Sequence, residues 1–145
     1  MSQEDIPSEP VVAATAGSST VEVRTAASAA LIPTVRAVAS DLAARADFDL
    51  DAISDLRMAV DEACATLVGL AAGGSHLRCT FDVQGDRIAV AAEVQAPAGS
   101  DLPTDSFGWR VLQTLADKVD VDRSTGDDGS AVLRIRLHKL AGPAL

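Results

Sequence analysis

The chain has 145 residues, of which 48% are hydrophobic and only 3% aromatic, so it is long enough for one core built mainly from aliphatic side chains and Ala. Its 21 acidic residues against 12 Lys and Arg give a formal net charge of −9, which argues against nucleic acid as a direct ligand, because phosphate neutralisation needs clustered cations. A basic protein partner fits this charge better.

The amino-terminal part of the sequence divides into a leader, a strand and a helix. Residues 1–19 combine Pro, Ser and Gly with acids and no basic residue, and we expect a flexible leader ahead of one domain over residues 20–140. STVEVRTA alternates Val21 and Val23 with charged residues, which predicts a short strand at or near a sheet edge. AALIPTVRAVASDLAARA then predicts a helix with Pro33 in its first turn.

A second helix is predicted after FDLD, where Asp49 or Asp51 can cap it, and AAGG offers Gly73 or Gly74 for a left-handed cap at its end. Spacing by threes and fours predicts a buried stripe of Ile53, Leu56, Val60, Ala63, Cys64, Leu67 and Ala71. A second stripe is offset from it and holds Asp55, Ala59, Glu62, Thr66 and Gly69. There a carboxylate and a hydroxyl lie one turn apart and can contact one bound group. The alternative is an acid on the wet side of an amphipathic helix.

The remaining elements are a hairpin, a helix and two strands. HLRCTFDV and RIAVAAEV alternate on either side of QGD and predict the hairpin. SFGWRVLQTLADKV predicts a third helix with the apolar positions Trp109, Val111 or Leu112, Leu115 and Val119. SAVLRIRLHKL predicts a strand, paired across TGDDG with a shorter one around VDVDR. This order predicts an α+β two-layer sandwich with all helices on one face of a mixed, mostly antiparallel sheet.

Cysteine, histidine and hydropathy patterns bound the remaining chemistry. Cys64 and Cys79 fall inside predicted elements, so we expect reduced core residues, with redox sensing as the alternative. His76 and His138 have no Cys or acidic neighbours at ligand spacing, and no metal site is expected. No signal segment opens the chain and no apolar run approaches the ~20 residues of a membrane span. We therefore expect a cytoplasmic protein without a membrane partner.

Two stretches, DLRMAVDEACATLV on the second helix and SFGWRVLQTLADKVDVD on the third, are the most distinctive. They and the order of elements resemble the histidine-kinase-like ATPase (Bergerat, or GHKL) family, and within it the anti-sigma F factors of the RsbW/UsfX type, over about residues 20–138. The resemblance implies that the protein holds a sigma factor off RNA polymerase. It also implies antagonism by an anti-anti-sigma protein of the STAS fold, which many members phosphorylate on Ser or Thr with Mg-ATP.

The resemblance also assigns nucleotide-site positions. Glu62 stands where the kinases have their catalytic base, and Thr66 stands where they have an Asn that ligates magnesium. Gln95 replaces the carboxylate of the adenine-reading D-x-G-x-G motif, of which Gly99 is left. Gly108 is the glycine left in the second Gly-rich segment. With three departures in one pocket, we expect binding of ATP and Mg to be weak or lost. The alternative is an active Ser/Thr-protein kinase that uses Glu62 as base.

Partner contacts are expected on the first two helices. Acids between Asp41 and Glu62, with Asp55 among them, form an acidic face that can steer a basic partner, and a merely solvated face is the alternative. Arg36 matches a first-helix Arg common in this family, lying where its members contact their protein partners, and an ordinary surface residue is the alternative. Members also form homodimers through the sheet and its first strand and helix, which places residues 20–40 at a homodimer seam.

Overall fold

The computed structural model describes residues 18–143, so the predicted leader lies outside the described residues except for Ser18 and Ser19, which begin the first strand. The elements follow the predicted order: β1 (Ser18–Ala26), a 3-10 turn (Ala29–Leu31), α1 (Ile32–Arg45), α2 (Leu50–Leu70), β2 (His76–Gln84), β3 (Arg87–Ala96), α3 (Phe107–Leu115), β4 (Lys118–Thr125) and β5 (Ala131–Leu140).

The five strands form one sheet in the order β1-β2-β3-β5-β4, and every pairing between them is antiparallel. The predicted α+β two-layer sandwich is therefore confirmed, with a sheet that is antiparallel rather than mixed within residues 18–143. β1 lies at one edge, as its short alternating sequence predicts, and β4 lies at the other.

The two faces of the sheet differ because side chains alternate along each strand. In β3 the residues Ile88, Val90, Ala92, Val94 and Ala96 are buried and join the core beneath the three helices. The opposite, open face carries charged side chains, among them a row in which Glu93 bonds both Arg78 and Arg134 at 2.7 Å. The helices therefore lie on one face, and the other face is polar.

The core is aliphatic, as the composition requires. Its largest fully buried side chains include Phe81, Leu56, Leu67 and Leu137. Each such residue contributes about 1.5–3 kcal/mol through removal of apolar surface from water. α2 supplies seven buried residues, more than any other helix, and packs on β2, β3 and β5. The central position of α2 makes it the rigid element on which nearby side chains are placed.

Two predicted helix ends differ from the structure. α3 ends at Leu115, not at Val119. Val119 instead lies in β4 and pairs with Leu137 of β5. The alternation of KVDVDRST therefore prevails over a helical continuation, because β5 supplies backbone partners and Val119 and Val121 pack partly against the core. α2 ends at Leu70 and is followed by Ala71, which is extended, and Gly74 has its positive φ of 78° in the turn after that.

Two predicted faces of α2 also shift slightly. Ile53 and Ala71, predicted in the buried stripe, are only half-buried. Ala59, predicted in the second stripe, is fully buried, and Ala52 is buried with it. The burial of α2 is wide because helices pack on it from both sides while the sheet lies beneath it.

Cys64 on α2 and Cys79 on β2 are both free and fully buried, with their Sγ atoms 3.7 Å apart. The predicted core placement is confirmed. The hydrogen bond between the thiols and the burial of the site raise the pKa of Cys64 far above its ordinary value. A thiol held in this state is a poor nucleophile.

Candidate functional site

The site is built on α2, which begins at a well-formed cap. The Asp49 side chain accepts a hydrogen bond of 2.7 Å from the backbone N–H of Ala52, and its backbone has the extended conformation typical of an N-cap. From this start the helix runs without interruption for 21 residues. The cap therefore defines where α2 begins, and the wide buried face of the helix holds the side chains that α2 presents.

Glu62 and Thr66 lie one turn apart on α2, and the structure brings them together. The Thr66 hydroxyl donates a hydrogen bond to Glu62 Oε2 at 3.3 Å. Glu62 also contacts Gly108 in the first turn of α3, where a Cβ on residue 108 would clash with Oε2 and lie 3.1 Å from Cδ. The absent side chain of Gly108 thus provides the space that the Glu62 carboxylate occupies.

The other two residues expected at a nucleotide lie apart from this pair. Gln95 is exposed, and its side chain lies on the open face of the sheet, in a cavity also lined by Arg24, Arg78 and Glu93. Gly99 has a φ of 84° in an exposed turn of the loop between β3 and α3. The sheet therefore separates the Gln95 side chain from α2.

This arrangement does not fit a nucleotide held by all four residues. A phosphate at the amino end of α3 would meet the Glu62 carboxylate, and like charges at that distance repel. Gln95 points away from that end.

Within residues 18–143, no group of three or more His, Cys, Asp or Glu side chains is arranged to hold a metal ion. No helix of the described part is long and apolar enough to cross a bilayer.

Arg36, expected at a partner surface, is bound within the protein. Its Nη1 donates to Asp61 Oδ2 at 3.0 Å and links α1 to α2, and both side chains remain about one-third exposed at 38% and 34%. The other oxygen, Asp61 Oδ1, is buried and has no hydrogen-bond partner among the described residues. Arg36 therefore positions α1 against α2 while part of its guanidinium still faces solvent.

The two acids expected at the partner surface also have basic neighbours. Asp41 pairs with Arg45 one turn later on α1, at 2.8 Å and on the surface. Asp55 lies 3.4 Å from Lys139, whose side chain is only 14% exposed and also contacts Asp117 at 3.7 Å. Asp55 thus helps fix the end of β5 to α2, and Asp41 is the freer of the two.

A groove between α2 and α3 was not expected from the sequence. It measures about 480 Å³ and is lined by Met58, Asp61, Glu62, Ala65, Val111 and Leu115. Met58 is 45% exposed, and Phe107, one turn before Val111 on α3, is 80% exposed. The signal in the sequence was two large apolar residues outside the core stripes, which helical periodicity alone assigns to the surface.

Comparison with known proteins places these features in a family. The model of the family described as the histidine kinase-like ATPase domain matches residues 25–137. Two curated proteins, both named anti-sigma-F factor RsbW and from Mycobacterium tuberculosis strains CDC 1551 / Oshkosh and ATCC 25618 / H37Rv, are each 34% identical over 99 residues. The match covers 68% of this chain and 59% of each relative, so it spans less than two thirds of their length.

Proposed function

Because this chain belongs to the family of histidine kinase-like ATPase domains, as its sequence predicts, we propose that it is an anti-sigma factor. It sequesters an alternative sigma factor, of the stress or stationary-phase class that resembles sigma F. A STAS-type anti-anti-sigma protein competes for it and releases the sigma factor. The observation that carries this proposal is the similarity to two proteins named anti-sigma-F factor across 68% of the chain.

In this proposal the protein works by binding, and its use of ATP and Mg is weak or lost. ATP is the nucleotide that the family description implies. The contact between Glu62 and Gly108 supports the loss, because it puts a carboxylate at the helix end where a phosphate would bind. Thr66 supports it too, since its hydroxyl is donated to Glu62 and is a weaker metal ligand than the Asn it replaces.

The acidic face supports capture of a basic partner. Around the start of α2, Asp41, Asp47 and Asp51 are exposed, and the whole chain carries a net charge of −9. Such a face accelerates association with a cationic protein and contributes less to the lifetime of the complex. Arg36 adds a polar contact on α1, in the pair with Asp61 that is about one-third exposed.

A second candidate function is an active Ser/Thr-protein kinase on the same scaffold. Glu62 is retained at the position of the base, and the matching family is one of ATPase domains. This candidate requires α3 to move away from Glu62, so that a nucleotide phosphate replaces the carboxylate at the helix end.

One set of measurements separates the two candidates. Purified protein is titrated by calorimetry with each purified alternative sigma factor of its organism, with and without Mg-ATP, and then incubated with the STAS-type protein and Mg-ATP. An anti-sigma factor that works by binding gives a complex in both titrations and no phosphoserine or phosphothreonine by mass spectrometry. Transfer that disappears in Glu62→Gln would establish the kinase, and the lack of any sigma complex would refute the anti-sigma role.

Assembly and location complete the proposal. We expect a cytoplasmic homodimer, with residues 20–40 at its seam. β1 supports this, because within residues 18–143 its outer edge pairs with no other strand. Light scattering on the purified full chain measures the mass directly. A monomer at the concentrations used for sigma binding would remove the homodimer from the proposal.

A further inference from the structure

The groove between α2 and α3 has an apolar wall on each side. From α3 it receives Val111 and Leu115, and Phe107 extends the same stripe by one turn, since these residues are spaced by four. From α2 it receives Met58 and Ala65, seven positions apart on one face. Leu112 takes the core side of α3. The stripe beside it is a second apolar face, half-buried at Val111 and Leu115 and exposed at Phe107.

Two large apolar side chains, one on each helix, are exposed to solvent beside this groove. Phe107 is 80% exposed and Met58 is 45% exposed, and they are two of the four large apolar residues exposed within residues 18–143. Large apolar side chains gathered at one place on a surface mark interaction sites more often than scattered ones do. Along α2 the groove runs from Met58 to Ala65, about two helical turns or roughly 11 Å at 1.5 Å per residue.

Two carboxylates on α2 give the groove its charge. Asp61 Oδ2 is bound by Arg36, but Asp61 Oδ1 is buried with no hydrogen-bond partner among the described residues. Glu62 Oε2 receives only the Thr66 hydroxyl, and Oε1 receives no donor in the described part of the chain. An occupant that brings an N–H⁺ donor therefore finds an acceptor in the Glu62 carboxylate, whereas a phosphate or a carboxylate finds repulsion.

We infer that the α2–α3 groove receives an amphipathic helix of the sigma factor, with apolar residues against Met58, Val111 and Phe107 and a Lys or Arg directed to Glu62. This inference rests on the proposed anti-sigma function and assigns a surface to it. A helix in a groove is a common mode of peptide recognition, read by apolar residues at spacings of three and four. A second copy of this chain fits less well, because it brings another net charge of −9 to an acidic groove.

The chain offers a closely matched pair of variants for the test. Phe107 is the first residue of α3 and 80% exposed, and Leu50 is the first residue of α2 and 83% exposed, outside the groove. Phe107→Ser and Leu50→Ser remove the same kind of surface from the same helical position. Neither substitution opens a cavity in the core, and circular dichroism and thermal unfolding check that both variants fold.

Affinity is measured by calorimetry against the sigma factor that binds the wild-type chain. We expect Phe107→Ser and Met58→Gln each to weaken binding by about tenfold or more. Leu50→Ser leaves every charge of the acidic face in place and should change affinity by less than about twofold. Glu62→Gln is expected to weaken it by roughly threefold to tenfold through loss of charge. If Phe107→Ser binds as Leu50→Ser does, the groove is not the docking site, although the anti-sigma function stands. If the wild-type chain binds no sigma factor, the proposed function itself fails.

Discussion

At the scale of single residues, the contact between Glu62 and Gly108 decides how the sequence motif is interpreted. The motif predicts a catalytic carboxylate on α2. In the structure that carboxylate accepts a hydrogen bond from Thr66 and occupies the space that a side chain at Gly108 would fill. The same residue can serve as a base, a packing group or a partner contact. Its neighbours, rather than its identity, distinguish these roles.

The effects of Gly69→Ala and Gly108→Ala on the free energy of unfolding test this contact when they are compared. Gly69 in α2 has no atom within 4 Å of a new Cβ, so Gly69→Ala should stabilise the fold by about 0.5–1 kcal/mol through helix propensity. Gly108→Ala should give less of this gain, because the methyl group displaces the Glu62 carboxylate from its bond with Thr66. Urea unfolding measures both. The deficit should vanish when Gly108→Ala is made in Glu62→Ala, and a persistent deficit would show that Glu62 is not its cause.

The buried thiol pair gives a second prediction at this scale. Because the hydrogen bond with Cys79 and burial raise the pKa of the Cys64 thiol, it stays protonated when the solution reaches the ordinary thiol pKa of about 8.5. Iodoacetamide at that pH should leave both cysteines unmodified in the native protein and label both in denaturant, as read by intact mass. Rapid native labelling would mean that the space between α2 and β2 opens readily. The redox role remains an untested alternative.

At the scale of elements, α2 and α3 are both held by caps but differ in what lies beneath them. Asp49 caps α2, which buries seven residues, and Ser106 caps α3, whose one buried residue is Leu112. A long helix with a wide buried face keeps its position when a cap is lost. A short helix with a single anchor depends on its cap for local order.

Loss of each cap should therefore have a different outcome. Asp49→Ala should lower the free energy of unfolding by about 1 kcal/mol and speed exchange at Ala52, whose N–H loses its acceptor, while the rest of α2 stays protected. Ser106→Ala should lower it less, but should speed amide exchange in residues 107–110 as α3 frays. Hydrogen exchange with mass spectrometry compares the two variants. Equal protection of α3 in wild type and Ser106→Ala would contradict this ranking.

The elements themselves are well predicted from the sequence, because alternation and helical spacing record which side of each element is buried. The order of all eight predicted elements and the edge position of β1 are confirmed. The end of α3 is wrong by four residues, because ADKV is compatible with a helix until β5 offers it a partner. Pairing between distant segments is not encoded in local spacing.

The candidate site is less predictable for the same reason. Glu62 and Thr66 are close in sequence and meet as predicted from one helical turn, whereas Gln95 and Gly108 depend on how the sheet and α3 are placed. In β3 the Gln95 side chain lies on the open face of the sheet, and the following residue, Ala96, is buried on the opposite face. The groove at Met58 and Phe107 depends wholly on the distance between two helices. Single-sequence periodicity carries no information about that distance.

At the scale of the whole molecule, three surfaces differ in charge and shape. The acidic face lies around the start of α2, the groove lies between α2 and α3, and the open face of the sheet carries paired charges such as Glu93 with Arg78. In the proposed function, the acidic face governs how fast a basic partner arrives. The groove governs how long the partner stays.

This division predicts a salt effect on the binding kinetics. Raising ionic strength from about 0.05 to 0.5 M should slow association with the sigma factor by roughly tenfold and change dissociation much less, because screening acts over a Debye length of about 10 Å at 0.1 M. Surface plasmon resonance measures both rates. Asp47→Asn should reproduce part of the slowing, while Asp127→Asn, an equally exposed acid in the β4–β5 turn, should not. An association rate that changes neither with salt nor with Asp47→Asn would exclude electrostatic steering.

The fluorescence of Trp109 depends on the position of α3. It is the one tryptophan of the chain, it is half-buried against the core, and its backbone N–H is the donor in the Ser106 cap. It is adjacent in sequence to Gly108 and lies one turn from Leu112, so any displacement of the helix changes its contact with water. The chain therefore carries its own fluorophore at the element whose movement distinguishes a closed binding protein from a nucleotide-using kinase. Its emission can be followed during titration without attaching a label.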